Sequence, residues 1–261
     1  MSATASSNAH VESRQVARVR LANGSDVILD ARRALVLPAE GILAVADLHL
    51  GYAWVQRRRG ALMPLSAPDS TGSRLAPLLA EYRPRQLVIL GDLVHQAIAV
   101  PALSEELSSL VKLLPAGTEL VICPGNHDRD LARLLESLGL PLRLVSVLKV
   151  GGYRLHHGDR PKPIEAAEAA DFSLASGPLI DVIGHEHPAV RLGDGVATSA
   201  KVPCFLLADS TLVMPAFSDW AAGCEFGRGP FLGEVARDAR FHSAYACLGP
   251  RLLRLPLSRR E

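Results

Sequence analysis

The sequence predicts an α/β fold, and three observations carry that prediction. Three segments share one grammar: an apolar strand, an abrupt polar turn and then a helical stretch. They are GILAVADLHLG (41–51), QLVILGDLVHQ (86–96) and ELVICPGNHDR (119–129). The stretches between them have helical periodicity. In PALSEELSSLVKLL, residues Leu103, Leu107, Leu110, Leu113 and Leu114 keep to one face. Strand, helix and strand in alternation form βαβ units, so the first half should build a largely parallel sheet.

Taken in order, residues 1–15 are rich in Ser and Ala and are expected to be a flexible tail, with one domain over 16–261. The first strand ends in Asp47 and His49. The helix after it carries Trp54 and the run Arg57, Arg58, Arg59. STGSRLAPLLAEY is a second helix, and the strand QLVIL then ends at Asp92. The third strand runs into Asn126, His127, Asp128 and Arg129, and RDLARLLESLG continues as a helix. Beyond it the chain turns strand-rich. YRLHHGD, LIDVIGHEHP, VPCFLLAD, TLVMPAF and AYACLGPRLLRLPL are short apolar runs broken by Gly and Pro.

Bulk composition narrows the function. Apolar residues make up 48%, charged residues 21%, and the net charge is +1. No strong field for nucleic acid or membrane follows, so a basic patch must be local. No apolar run reaches the roughly 18 residues a membrane span needs, and the N-terminus lacks a signal-peptide core. Cys123, Cys204, Cys224 and Cys247 are far apart and form no CxxC pair, which argues against a zinc knuckle or a disulfide framework. A cytoplasmic protein with reduced thiols is expected, with Cys123 a small buried apolar residue.

The polar residues are the informative ones. In open α/β sheets, ligands bind just beyond the carboxyl ends of strands. Asp47, His49, Asp92, Asn126 and His127 all fall there, followed by His156 and His157, then His185 and His187. Carboxylate, amide oxygen and imidazole together suit Mn, Fe, Zn or Ni better than Mg or Ca alone. A shared Asp could bridge two metals about 3.5–4 Å apart. Singly, each triplet is an ordinary turn. Their common placement at strand ends is what argues for a site.

The ordered set ADLHLG, LGDLVH, PGNHDR, LHHGD and GHEHP resembles the calcineurin-like metallophosphoesterase superfamily. Within it, VPCF and LVMPAF are similar to the bacterial DNA-ligase-associated subgroup of manganese-dependent phosphodiesterases and DNA endonucleases. The resemblance implies a four-layer α/β/β/α sandwich of two mixed sheets flanked by helices. It implies two divalent metals, manganese first. Asp47, His49, Asp92 and His187 would hold one, and Asp92, Asn126, His157 and His185 the other. Either His156 or His157 could fill that histidine position; His157 is favoured because it precedes Gly158. His95 would not be a ligand. His127 would face the scissile phosphate, with Asp128 orienting its ring or capping the next helix. Arg57, Arg58, Arg59 and Arg129 are candidates for contact with the DNA backbone, against an ordinary solvated face.

The implied activity is hydrolysis of phosphodiester bonds, with single-stranded or flapped DNA as substrate in DNA repair. A DNA ligase and a helicase are the partners the resemblance suggests, and no membrane. The rivals are a nucleotide or cyclic-nucleotide phosphodiesterase and a non-catalytic scaffold; a phosphoprotein phosphatase would resemble GDYVDRG and RGNHE, which the chain lacks. The subgroup usually follows PAF with a Gly/Thr-rich turn. Here SDWAAGCEF stands in its place, at the substrate rim.

Overall fold

The computed structural model describes residues 15–63, 70–97, 100–140, 142–161, 178–193, 198–221 and 223–257. The expected tail lies almost wholly outside them. The first sheet has seven strands in chain order: β1 (Val16–Arg20), β2 (Asp26–Asp30), β3 (Ala34–Leu37), β4 (Ile42–Ala46), β5 (Gln86–Leu90), β6 (Glu119–Cys123) and β7 (Arg143–Leu144). Pairs from β4 to β7 are parallel. Those from β1 to β4 are antiparallel, so this sheet is mixed rather than largely parallel. In the β1–β3 meander, Asn23-Gly24 marks the first turn, with Gly24 at φ 82°, but the second leaves little trace in the sequence. β2 and β3 are joined through Ala31–Arg33 with no Gly, Asn or Pro, and Arg33 itself adopts the left-handed conformation, φ 68°.

The second sheet contains β8 (Leu148–Val150), β9 (Tyr153–His156), β10 (Ile180–Ile183), β11 (Pro188–Gly193), β12 (Ser199–Leu207), β13 (Thr211–Val213), β14 (Cys224–Glu225), β15 (Ser243–Leu248) and β16 (Arg251–Pro256). β9, β10 and β13 run parallel, and most of the others antiparallel.

The two sheets pack face to face. Ile42, Ala44, Val88 and Val121 of the first meet Tyr153, Leu155, Val182 and Phe205 of the second. On the outer face of the first sheet, Leu43, Val45, Leu87, Ile89 and Ile122 pack under α2 (Ser70–Tyr82), α3 (Pro101–Lys112) and α4 (Leu131–Ser137). Successive residues of β4, β5 and β6 thus enter opposite layers. That is why these strands read as continuous apolar runs instead of alternating ones. Burying each large side chain in such a layer contributes about 1.5–3 kcal/mol. α1 (Tyr52–Arg58) follows β4 directly. Among the described residues, α5 (Glu234–Asp238) and Phe226, Phe231 and Phe241 cover the outer face of the second sheet. None of the described helices is long and apolar enough to cross a membrane.

This layering decides where the polar turns go. β4, β5 and β6 end at the same edge as β9, β10 and β13. The two sheets are tied together there: the Phe217 amide donates to the Ala46 carbonyl at 2.7 Å and the Ser218 amide to the Asp47 carbonyl at 3.1 Å.

Candidate metal centre

Three of the strands that reach this edge, β4, β5 and β10, run into sharp left-handed bends. Among the described residues, seven other than glycine have left-handed φ, and five of them are Asp47 (53°), His49 (50°), Asp92 (41°), His185 (65°) and His187 (44°). Such a conformation costs about 1–3 kcal/mol unless the surroundings enforce it, and it clusters at functional sites. Here neighbouring turns enforce it. The His49 amide donates to the Asp92 carbonyl at 2.8 Å, the His185 amide to Asp47 Oδ2 at 3.1 Å, and the His127 amide to Asp92 Oδ1 at 2.9 Å. Gly91 completes the cradle: its φ is 76°, and a methyl group there would overlap the ring of His157.

The side chains converge in two groups. In the first, ligand atoms of Asp47, His49, Asp92 and His187 lie within 4.8 Å of one another. His187 Nε2 is 3.5 Å from Asp47 Oδ2 and 3.4 Å from His49 Nε2, and His49 Nε2 is 3.9 Å from Asp92 Oδ2. In the second, His157 Nε2 stands 3.1 Å from Asn126 Oδ1, 3.1 Å from His185 Nδ1 and 3.6 Å from Asp92 Oδ1. Asp92 therefore turns one oxygen to each group.

These residues fit divalent metal. Ring nitrogens and carboxylate oxygens crowd around common points, and Asp47 Oδ1 is buried without a hydrogen-bond partner. The electrostatics agree. Burial and the neighbouring Asp47 charge push the Asp92 carboxyl up. Burial would raise Asp47 as well, but the charges of His187, His157 and His49 outweigh it and hold this carboxyl low. Burial drives His49 down to about 3 and lowers His157 too. For His187 burial is outweighed by the Asp47 carboxylate, which lifts it. Two carboxylates so close in a buried pocket are a costly arrangement that a divalent cation would reverse.

The pleat separates the two adjacent histidines. Tyr153 and Leu155 of β9 face the core between the sheets, so Arg154 and His156 face the other side. There His156 Nε2 lies 3.3 Å from Asp181, which Arg154 also grips at 2.7 Å. His157, one residue past the strand, enters the site.

His127 sits half-buried at the rim, its Nε2 4.0 Å from Asp92 Oδ2. Its Nδ1 lies 2.9 Å from the His95 carbonyl, so Nδ1 carries a proton and Nε2 faces the site. The expected role of Asp128 changes accordingly. Its buried carboxylate accepts from the amides of Gly125 (3.0 Å), Leu93 (3.2 Å) and Val94 (3.1 Å). It staples the second polar turn to the third; the His95 carbonyl, not Asp128, orients His127. Nor does it cap α4, whose N-cap position is Asp130. His95, set aside from the sequence, comes within 4.8 Å of ring nitrogens of His49 and His127.

Arg57 stacks over Trp54 at 5.5 Å, while Arg58 and Arg59 are exposed at the end of α1 beside Gln96. Arg129 is exposed. Two further features have no mark in the sequence beyond residue type. Glu186, between the two histidines of GHEH, is buried and accepts from the amides of Leu232 (2.8 Å) and Gly233 (2.6 Å). The rim segment SDWAAG places Trp220 flat on Tyr52. Cys123 is buried between the sheets, and burial pushes its thiol up to about 12, as suits a packing residue.

The family model for calcineurin-like phosphoesterase matches residues 41–208. No curated protein matches the chain significantly. Among solved structures, the nuclease MPE of Pseudomonas putida is similar, with 25% identity and a TM-score of 0.62, over 92% of this chain and all of that one.

Proposed function

The chain belongs to the calcineurin-like phosphoesterase family and is a metal-dependent phosphoesterase, and from that premise we propose that it is a two-metal phosphodiesterase acting on single-stranded or flapped DNA. The observation that carries this reading is the division of Asp92, with Oδ2 toward the Asp47–His49–His187 group and Oδ1 toward the Asn126–His157–His185 group. The DNA substrate is supported by similarity to a nuclease along nearly the whole chain. Manganese comes first for this mixed oxygen and imidazole donor set, with Fe, Zn and Ni as alternatives. A repair role beside a ligase and a helicase rests on the motif resemblance alone.

Two divalent cations held by these groups would neutralise the phosphodiester and lower the pKa of bound water toward neutrality. The protein supplies the rest. Asp47 and Asp92 provide the negative charge that retains cations in a buried pocket. Five left-handed residues in three turns fix Asp47, His49, Asp92, His185 and His187 before substrate arrives, so little reorganisation is needed at reaction. His127 points Nε2 into the site from a ring held at Nδ1. With Nδ1 already donating, the doubly protonated ring can donate from Nε2 to charge on the phosphoryl oxygens or to the departing alkoxide.

The test is metal-stripped protein reloaded with Mn and offered a chromogenic phosphodiester, a phosphomonoester, cyclic nucleotides and circular single-stranded DNA. Cleavage of the circle and of the diester is expected. Turnover of cyclic nucleotides with intact circles would instead establish the small-molecule reading.

A further inference from the structure

From the metal centre an unbroken row of rings leads to the surface. His127 and His95 are stacked, with centroids 5.2 Å apart and planes 26° apart. The Tyr52 ring meets His95 edge-on at 4.7 Å. Trp220 then lies on Tyr52, 5.6 Å away and only 12° from parallel. Trp220 is 37% exposed, so this row ends in a partly open indole.

The segment bearing Trp220 is fastened on both sides. Arg33 donates to the carbonyls of Ala216 (3.3 Å) and Ser218 (3.0 Å) and pairs with Asp219 at 3.2 Å. Arg74 of α2 also reaches Asp219, at 3.5 Å, and donates to the Phe217 carbonyl while its guanidinium covers the Phe217 ring. The Trp220 amide donates to Ser218 Oγ at 3.2 Å. A fixed, partly exposed indole has lost its freedom in advance, so a flat ligand stacking on it forfeits little more.

Resting on the nuclease reading above, we infer that Trp220 and Tyr52 form a stacking platform for an unpaired nucleobase of the bound strand, away from the scissile phosphate along this row of rings. Bases paired in a duplex cannot offer a free face, whereas every unpaired base can, whatever its identity. Charge supports the same occupant: α1 carries Tyr52 at its start and Arg57 and Arg58 at its end, with Arg59 just beyond. Bases on the rings and phosphates near the arginines is the arrangement of a sequence-tolerant single-strand groove.

The chain has two tryptophans, so Trp54→Phe leaves Trp220 as the sole tryptophan, excited selectively over the four tyrosines at the red edge of the absorption band. This protein, held metal-free, is titrated with oligothymidylate and with the same backbone made of abasic units. Saturable quenching of Trp220 by the first and much weaker quenching by the second is expected; equal response to both, or none, overturns the platform. In steady state with metal, Trp220→Ala should raise KM for single-stranded DNA about 5- to 100-fold, the worth of one stacked base, with kcat changed far less and Trp220→Phe restoring most of the loss. An unchanged KM also overturns it. If wild-type protein fails to cut DNA while Trp220 of the Trp54→Phe protein is still quenched, the nuclease reading falls and the platform stands. Efficient cutting with a silent Trp220 does the reverse. Should Trp220→Ala not fold, the fluorescence titration alone decides.

Discussion

At the scale of single residues, Asp92 and His127 make distinguishable demands. Asp92 sends one oxygen to each donor group, and its Oδ1 also accepts the His127 amide. Asp92→Ala should abolish hydrolysis and lower bound metal below about half the wild-type content, because both groups lose a ligand. Asp92→Asn keeps an acceptor for that amide, so it separates lost charge from a lost turn. Full metal content with normal turnover in either variant would sink the shared-ligand assignment. His127 is different, because its ring is positioned by a carbonyl rather than by the ligand set. His127→Ala should retain metal and slow turnover by about two to four decades, as loss of an acid–base or charge-stabilising group does. Smaller losses on substrates with good leaving groups would identify it as the proton donor, and collapse of metal content would make it a ligand instead.

At the scale of elements, the strand ends and α1 divide the work. The strands carry donors to one edge of the packed sheets, and left-handed turns aim them inward. α1 begins immediately after the first of these turns and ends with Arg58, so its basic end lies beside Gln96 and the second polar turn. A small diester fills the metal centre alone; a DNA strand must continue past it. Arg57→Glu, Arg58→Glu and Arg59→Glu combined should therefore reduce DNA cleavage much more than hydrolysis of a small diester. Each lost phosphate contact should also flatten the logarithmic salt dependence of single-strand binding by about 0.7. Equal losses on both substrates would assign the arginines to folding, and no loss on either to a solvated face.

At the scale of the whole molecule, the centre joins two sheets, so metal binding should be felt as global stability. Metal at 100 times its dissociation constant adds about 2.7 kcal/mol, which for a chain of this size lifts Tm by about 5–10 °C. A thermal melt with and without chelator checks this, and no shift would argue against metal at the sheet junction. The pH dependence has a definite sign. Asp47 holds His187 above the ordinary histidine value, so the ring stays protonated to higher pH, and a protonated ring cannot coordinate. Stabilisation by metal should grow as pH rises through that raised value and shrink on acidification. Without metal the sign reverses: the His187–Asp47 pairing contributes fully below the ordinary histidine value and is lost as pH rises through the raised one. Parallel melts at several pH values with and without Mn measure both slopes.

Much of this was local enough to be legible in the sequence. β4, β5 and β6 are buried on both faces, so they appear as apolar runs that stop abruptly. Asp47, His49, Asp92 and Asn126 stand at those stops, and His185 and His187 just past the end of β10, because a strand end is where a side chain can leave the sheet and meet a ligand. Other features were settled only by packing. His156 or His157 depended on where β9 ends, since one residue of register moves a side chain to the opposite face. The β2–β3 turn, Ala31–Arg33, had no Gly, Asn or Pro to announce it, whereas Asn23-Gly24 between β1 and β2 is a turn signal that sequence reasoning passed over. Asp128 could have capped α4, but amides of Gly125, Leu93 and Val94 were within its reach. Trp220 meets Tyr52, and Glu186 meets Gly233, across separations that no periodicity records. The chain's own pattern determined which residues would leave the sheets and at which edge. Only the stacking of one sheet on the other decided which of them would meet, because contacts between segments distant in sequence follow from how whole layers pack.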